Sequence, residues 1–495
     1  MHRSTHDARD KALFAAILVA AVALRLLALA PYSMHHPDEI FQYLEPAHRI
    51  AFGNGIATWE FRQGMRGWLL PTVLSWPMAL GGAIAPDGKL YLLLPRLVIS
   101  MMSLSIPIAA FAIGWRFSRL HAFVAMAVMA GWFEAVYFSA HGLSEQVSVV
   151  LFMPAAALML ADNQRVARNY AIAGLLLGFA VAIRFHYGPA IFVFCAMLCG
   201  KDARRRWLPL AGGAMLALAL AGVADATHGA APFSWIVANV QQNILHDQAA
   251  KFGVELPIFY LGQIGVYWRW WSPLLLLALR PAFGRNRALF ATALINIALL
   301  SLIGHKEYRF ILLSTTILVM LAALGSVDLM IAWCRRHDRR PGMATGILLL
   351  TLWAAASASL AASATMRPKW TFLSPELSLM SDAGRLPGLC GLALDRQVFY
   401  MTGGYSYLHR DVPLFLTYPT RKDHIADRDI GPASAAFNAV ITPLATIDKM
   451  PKSFRPVSCR GDGDDGMCLL YRPGACTAGA ADRWRLDVAL QRNAL

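Results

Sequence analysis

The sequence predicts an α-helical polytopic membrane protein with one small extracytoplasmic domain, α/β or mostly β, at its C-terminus. Three observations predict it. Of the 495 residues 57% are hydrophobic and only 15% charged, where a soluble chain carries about a quarter. Apolar stretches recur at the roughly 20-residue length that spans a bilayer core. Beyond residue 364 these stretches stop, and short strand-like runs between Gly, Pro and Asp turns replace them.

Taken in order, apolar runs fall near 12–31, 91–114, 122–140, 145–162, 169–184, 187–200, 207–225, 257–279, 288–304, 308–333 and 343–363, which predicts about eleven transmembrane helices. The first run has no convincing small-residue cleavage site and reads as a retained helix. The stretch 67–86 is also apolar, but Pro71, Pro77 and the Gly81–Gly82 pair would break a straight span. It is expected to lie on the membrane or dip into it. The net charge of +15 then has an explanation. The clusters 116–121, 165–168, 201–206, 280–287 and 335–340 all fall on the cytoplasmic side when the N-terminus is inside and 67–86 does not cross. No basic segment interleaved with aromatics points to nucleic acid. Two domains follow: a transmembrane domain 1–363, with extracytoplasmic loops at 32–90 and 226–256, and a soluble extracytoplasmic domain 364–495. In the tail "RQVFYMTGG", "VPLFLTY", "FNAVITP" and "CLLYRPG" read as strands. Cys390, Cys459, Cys468 and Cys476 all lie there, an even number suited to disulfides in an oxidising compartment. Of the three possible pairings, Cys459–Cys468 around "RGDGDDGM" is favoured.

The polar residues of the outer turns raise the question of function. In "HHPDEIFQYLEPAHRI" (35–50), Pro37 suits the first position of a helix. Asp38 and Glu39 then sit in its first turn, where the helix dipole favours their ionised forms. Gln42 and Glu45 continue the stripe of Glu39 until Pro46 ends or kinks the helix. Acids commonly do no more than cap a first turn. Here, however, Glu60, Arg62 and Arg66 join the same loop. His141 and Glu145, Arg184 and His186, Asp225 and His228, and His305, Lys306, Glu307 and Arg309 mark four further outer turns. Ionisable groups beside membrane spans are costly and usually functional. Solvated loop histidines, or Lys and Arg reaching for headgroups, would explain single turns but not their convergence on one side. Carboxylates that can deprotonate a hydroxyl, together with cations that can hold a departing phosphate, suit a reaction on a lipid-linked phosphate ester. Membrane lipids surround such a site.

At this point the motifs are familiar. "HPDEIFQYLEPAH" followed by "WEFRQGMRGWLLP" resembles the first luminal loop of the dolichyl-phosphate-mannose α-mannosyltransferases of N-glycan precursor and GPI-anchor assembly, in the GT-C superfamily. "GHKEYRFI" resembles a later luminal motif of that family. "DATHGAAPFSWIVANVQQNILHDQAAKFG" is similar to its central loop, with Asn239 and Asn243 as an N-x-x-x-N pair. The likeness runs in matching order from about 12 to 335 and leaves the tail unmatched. It implies a GT-C fold, a polyprenyl-phosphate sugar donor with mannose as the expected sugar, a lipid-linked or other glycan acceptor, no metal or other cofactor, and inversion from a β-linked donor to an α-linked product. Asp38 matches the family's candidate base and Glu39 its adjacent acid. His305, Lys306 and Arg309 match positions near the donor phosphate, with Arg184 as a further cation. His36, Gln42, Glu45, Arg62, Arg66, Glu145 and Asn239 are expected to support the loops or the acceptor. "HGLSEQ" departs from the Arg-x-x-Ser-Asn type of run in eukaryotic relatives. The Ala- and Arg-rich composition suggests a bacterial relative in the inner membrane, with its catalytic loops and tail in the periplasm. Two other readings compete. A transporter or flippase would place its site near the bilayer midplane, with internal repeats that are not evident here. A metal-assisted transferase could use Asp38, Glu39 and Glu145 as oxygen ligands.

Overall fold

A computed structural model describes residues 2–30, 32–86, 88–161 and 164–493. The chain packs into two compact units. The first comprises Met1–Leu29, Gly67–Leu69 and Arg96–Pro368; the second comprises Ala30–Arg66, Leu70–Pro95 and Lys369–Leu495.

Among the described residues six helices are long and apolar enough to cross a membrane: Ala8–Ala28, Leu90–Trp115, Val166–Ile183, Ala203–Thr227, Tyr308–Arg336 and Met343–Ala361. Arg119–Gly131 and Phe133–Ala140 make a seventh if their 55° bend belongs to one span. The chain is thus a multi-pass membrane protein. The count falls below eleven because several expected spans are short or broken. Trp132 has extended dihedrals (φ −64°, ψ 130°) and interrupts the ladder between the bent pair. Arg269, at φ +47°, separates Phe259–Trp268 from Ser272–Phe283 inside the stretch expected as 257–279. Ser144–Leu160, Phe185–Cys199 and Arg287–Ser301 are apolar but shorter than the span length.

Inside the first unit, small residues let helices approach closely, as expected where lipid supplies no hydrophobic drive. A Cβ on Gly174 would lie 2.0 Å from the Leu210 carbonyl, which fixes the crossing of Val166–Ile183 over Leu208–Thr227. Arg25, fully buried in the first helix, donates to Ser103 Oγ (2.8 Å) and the Ala130 carbonyl (2.8 Å). Those bonds partner the Nε and Nη1 of a charge that hydrocarbon could not hold, while its Nη2 meets no acceptor among the described residues.

The second unit combines the loop after the first helix with the tail. Its helix starts at Pro37, as the sequence predicts, but Pro46 does not end it. A π-helical stretch, Glu39–Leu44, leads directly into Glu45–Phe52. The wider i→i+5 turn just upstream accommodates the missing N–H of Pro46. Leu69–Ile84 is helical over 16 residues, Pro77 included. It buries Leu70, Leu74 and Met78 and exposes Val73, Trp76, Leu80 and Ile84. The break expected at Pro71, Pro77 and Gly81–Gly82 does not occur, and the helix carries an exposed apolar stripe over less than a full span length.

The tail folds as a mixed sheet. β1 (Leu392–Leu394) pairs in parallel with β2 (Leu414–Leu416) and β3 (Ala439–Pro443), while β5 (Met467–Tyr471) runs antiparallel to both β3 and β4 (Arg455–Arg460). The order is β2-β1-β3-β5-β4. Phe415, Phe437, Val440, Leu470 and Phe454 fill its core. Cys459–Cys468 forms as expected and joins β4 to β5; Cys390–Cys476 is the second disulfide.

Candidate active site

The predicted residues fall into two clusters, one in each unit. The acidic cluster lies on the Pro37–Phe52 helix and the loop after it. Asp38 keeps 24% of its side-chain surface and meets the His36 ring at 3.3 Å. Glu39 is fully buried and turns back to accept the His35 N–H at 3.2 Å. The adjacent acids therefore differ: Asp38 is the reachable one, and Glu39 holds the turn that presents it.

Gln42, one turn on, donates to both oxygens of Glu60 (3.3 and 3.1 Å). Arg66 pairs with the same carboxylate. Burial disfavours the Arg66 charge, but Glu60, with Tyr43 and Asp38 also in electrostatic range, outweighs it and holds the guanidinium firmly protonated. Arg62 donates outward to the Ala57 carbonyl at 2.8 Å and is exposed. Glu45 is fully buried and structural. Its Oε2 accepts the Ile56 N–H at 2.7 Å, and its Oε1 accepts the Ser406 N–H, so one carboxyl ties the loop after the first helix to the tail. Burial pushes its pKa up to about 7 against the pull of those backbone bonds. Gly404, at φ +57°, permits the contact, since a Cβ there would sit 2.5 Å from Glu45 Oε1.

The cationic cluster lies in the first unit, where Ser144–Leu160 begins and where the 304–311 turn enters Leu312–Arg336. Glu145, fully buried, is its centre. One oxygen, Oε1, ion-pairs with Arg184 Nη1 at 3.0 Å and with Arg309 Nη1 at 3.2 Å. Ser144 Oγ donates to the other oxygen at 3.1 Å and accepts from Arg184 at 3.2 Å. Arg309 also grips Glu307 through two nitrogens, Nε at 2.7 Å and Nη2 at 3.1 Å. His305 shares Glu307 at 3.1 Å, and that bond raises the His305 pKa above its ordinary value. Lys306 is buried and donates to the Glu255 carbonyl at 2.7 Å. Arg184 also lies over the Phe310 ring at 4.9 Å, and its buried Nε meets no protein acceptor. Asn239 accepts from Asn243 at 3.2 Å in the central loop. Among the described residues no three of His, Cys, Asp and Glu stand together as a metal site would require.

Sequence reasoning named Glu60 and Glu307 but gave them no role; each proves to be the carboxylate that orients an Arg. It missed Glu134 altogether. Fully buried, Glu134 accepts from the Trp132 indole at 3.0 Å and from the Tyr308 hydroxyl. Tyr308 stacks on Tyr267 at 3.6 Å, so this knot anchors the turn that carries His305, Lys306 and Arg309. The signal was present: a lone Glu inside the apolar run "GWFEAVY".

Residues 16–383 match the Alg9-like mannosyltransferase family. GPI mannosyltransferase 3 of Yarrowia lipolytica is 28% identical over 326 residues, covering 62% of this chain and 61% of that protein. GPI alpha-1,2-mannosyltransferase 3 of Danio rerio is 25% identical over 84% of this chain and 77% of its own length. The match to the Yarrowia protein thus spans less than two thirds of that relative's length. Among solved structures, ArnT from Cupriavidus metallidurans superposes in its apo state with a TM-score of 0.57 at 12% identity, over 93% of this chain and 98% of that one. Its undecaprenyl phosphate complex gives 0.54 at 13%, over 94% and 98%. At such identity the likeness speaks for the fold alone, which is GT-C.

Proposed function

The chain belongs to the Alg9-like mannosyltransferase family, and from that premise we propose that it moves mannose from a polyprenyl-phosphate donor to a hydroxyl of a lipid-linked glycan. Asp38 takes the proton of the acceptor hydroxyl, and that oxygen attacks C1 of the sugar. The C1–O bond to phosphate breaks, and the polyprenyl phosphate leaves with the electron pair. Attack from the face opposite the leaving group converts a β-linked donor into an α-linked product.

The observation that carries this reading is the cation cluster. Arg184 and Arg309, 125 positions apart in the sequence, converge on one oxygen of Glu145, with Lys306 and His305 in the same turn as Arg309. Guanidinium groups pre-set in a buried site stabilise charge on a departing phosphate without reorganising. Asp38 is favoured over Glu39 as the base because it alone of the pair is reachable. Asn239 and the outward Arg62 are assigned to acceptor or loop support. Gln42, Arg66 and His36 steady the acid helix. The reaction as written needs no divalent metal, and activity is expected to persist in excess chelator. Loss of activity on chelation, restored by Mg²⁺ or Mn²⁺, would favour the metal-assisted reading instead.

The catalytic face is assigned to the outside of a bacterial inner membrane. The Arg-rich turns at 201–206 and 335–340 suit retention in the cytoplasm, and two disulfides in the tail suit an oxidising compartment. The experiment is transfer from polyprenyl-phosphate mannose by purified Asp38→Asn protein. Loss of a general base lowers the rate by about 10²–10⁴-fold, with melting unchanged. Normal turnover by the folded variant would remove Asp38 from the mechanism, and lipid movement across a vesicle wall without covalent change would replace transferase with transporter.

A further inference from the structure

Three helices of the first unit, Ser272–Phe283, Leu312–Arg336 and Met343–Ala361, enclose a cavity of about 420 Å³. Gly325 explains its shape. A Cβ there would lie 1.8 Å from the Ala278 carbonyl, so the first two helices meet backbone to backbone. The third meets them through indoles instead. Trp353 donates to Ser326 Oγ at 3.2 Å, and Trp271 donates to Ser359 Oγ at 2.9 Å. A close crossing beside a wide one leaves a groove, and Leu274, Leu277, Leu348 and Leu352 stand exposed at its mouth.

The lining is apolar. Among the described residues no charged side chain lines it, and its one hydroxyl, Ser326, is already bonded to Trp353 and to the Ala323 carbonyl. Water needs polar partners that such a site lacks. From Leu348 to Ala356 the wall rises about 12 Å. That is close to the half of a roughly 30 Å hydrocarbon core that belongs to one leaflet.

One end of the groove is strongly basic. The turn 337–342 joins Leu312–Arg336 to Met343–Ala361, and Arg335, Arg336, Arg339 and Arg340 are exposed at this junction. Trp333 lines the groove and is 44% exposed; Arg339 lies over its ring at 5.7 Å, which ties the cations to the cavity. Arg336, one turn beyond Trp333, shares its helix face. Arg280 is exposed just past the lining residue Ala278. Among the described residues none of these arginines is ion-paired with a carboxylate. Of the nearby acids, Asp328 is taken by Arg285 at 3.1 Å and His121 at 3.3 Å, and Asp338 is outnumbered in the turn itself.

We infer that this groove holds an acyl chain of one anionic phospholipid, drawn from the leaflet that meets the 335–340 turn, with the lipid phosphate on the arginines of that turn. Basic groups beside a cleft between membrane helices favour acidic headgroups. The inference rests on the membrane placement of these helices and not on the transferase reading. The cation cluster at Glu145 is a separate place: the helix that leaves it at Leu312 rises about 21 Å before it reaches Ser326.

The test is native mass spectrometry of the full chain, offered dioleoyl phosphatidylglycerol and dioleoyl phosphatidylcholine in equal amounts. The wild type retains one phosphatidylglycerol, preferred about tenfold or more. Arg336→Gln with Arg339→Gln, both on the surface, abolishes the preference at about fivefold per Arg removed, with melting unchanged. Leu352→Trp fills the mouth and loses the retained lipid. Equal retention of the two lipids by the wild type, or an unchanged preference in the Arg variant, overturns the proposal. Displacement of phosphatidylglycerol by polyprenyl phosphate that Leu352→Trp prevents also overturns it, and gives the groove to the polyprenyl chain.

Discussion

Glu45→Gln should change how the stability of the second unit depends on pH. Glu45 is fully buried, and its carboxyl pKa is pushed up to about 7 from an ordinary 4.5, by burial first, against the bonds from Ile56 and Ser406. A raised carboxyl pKa means that the fold prefers the protonated form. Below pH 4.5 both folded and unfolded chains hold the proton, and the stabilisation is present in full. As pH rises from 4.5 to 7, the unfolded chain gives up its proton while the folded one keeps it, so stability falls. At 1.36 kcal/mol per pH unit the loss by pH 7 is about 3 kcal/mol; above 7 both states are ionised and the slope vanishes. Gln does not titrate, so the variant lacks this slope. Its amide nitrogen cannot accept an N–H, so one of the two backbone bonds is lost, at about 1–3 kcal/mol. The variant should therefore be the weaker protein at pH 4.5, and the gap should close or reverse by pH 7. The assay is denaturant unfolding of both proteins in detergent from pH 4.5 to 8, followed by hydrogen exchange of residues 40–56 and 400–410. Parallel pH profiles for wild type and variant would refute the reasoning.

Other perturbations separate the parts of the account. Arg309→Lys keeps the charge but loses the two-nitrogen grip on Glu307; transfer should drop about 10²-fold, and an unchanged rate would show that the fork is dispensable. Glu145→Gln leaves two buried guanidinium groups without their shared carboxylate, which should destabilise the first unit by about 3–5 kcal/mol, measured by thermal melting. Removing Cys390–Cys476, which closes an 86-residue separation, should cost about 4.5 kcal/mol, against about 2.5 for Cys459–Cys468 with its separation of 9; the reverse order in denaturant titrations would contradict the chain-entropy argument.

What the sequence made legible, and what it hid, follows from the range of the interactions involved. Helix starts at Pro37 and the strands inside "VPLFLTY", "FNAVITP" and "CLLYRPG" are local matters of propensity and turn chemistry, and they appear where expected. "RQVFYMTGG" instead forms a 3-10 turn at Phe399–Met401 after β1 has ended, because Arg396 turns left-handed. β4 was missed, since "RPVSCR" is largely exposed and owes its shape to β5 and a disulfide. In the site, residue types and their clusters were visible, but their partners were not. Glu145 stands in the sequence as an acid at an outer turn; only the fold makes it the counter-ion of Arg184 and Arg309. Glu45 continues a polar stripe in the sequence, yet its partner Ser406 lies 361 residues away. Mid-span breaks such as Trp132 lie inside apolar runs, so hydropathy passes over them.

The most direct test of the central claim is to offer the purified protein polyprenyl-phosphate mannose and GDP-mannose in parallel, with a lipid-linked mannoside as acceptor, and to read the anomeric configuration of the product by NMR. The account predicts consumption of the polyprenyl-phosphate donor, release of polyprenyl phosphate and a new α-mannoside. Consumption of GDP-mannose alone, or a β-linked product, would contradict it.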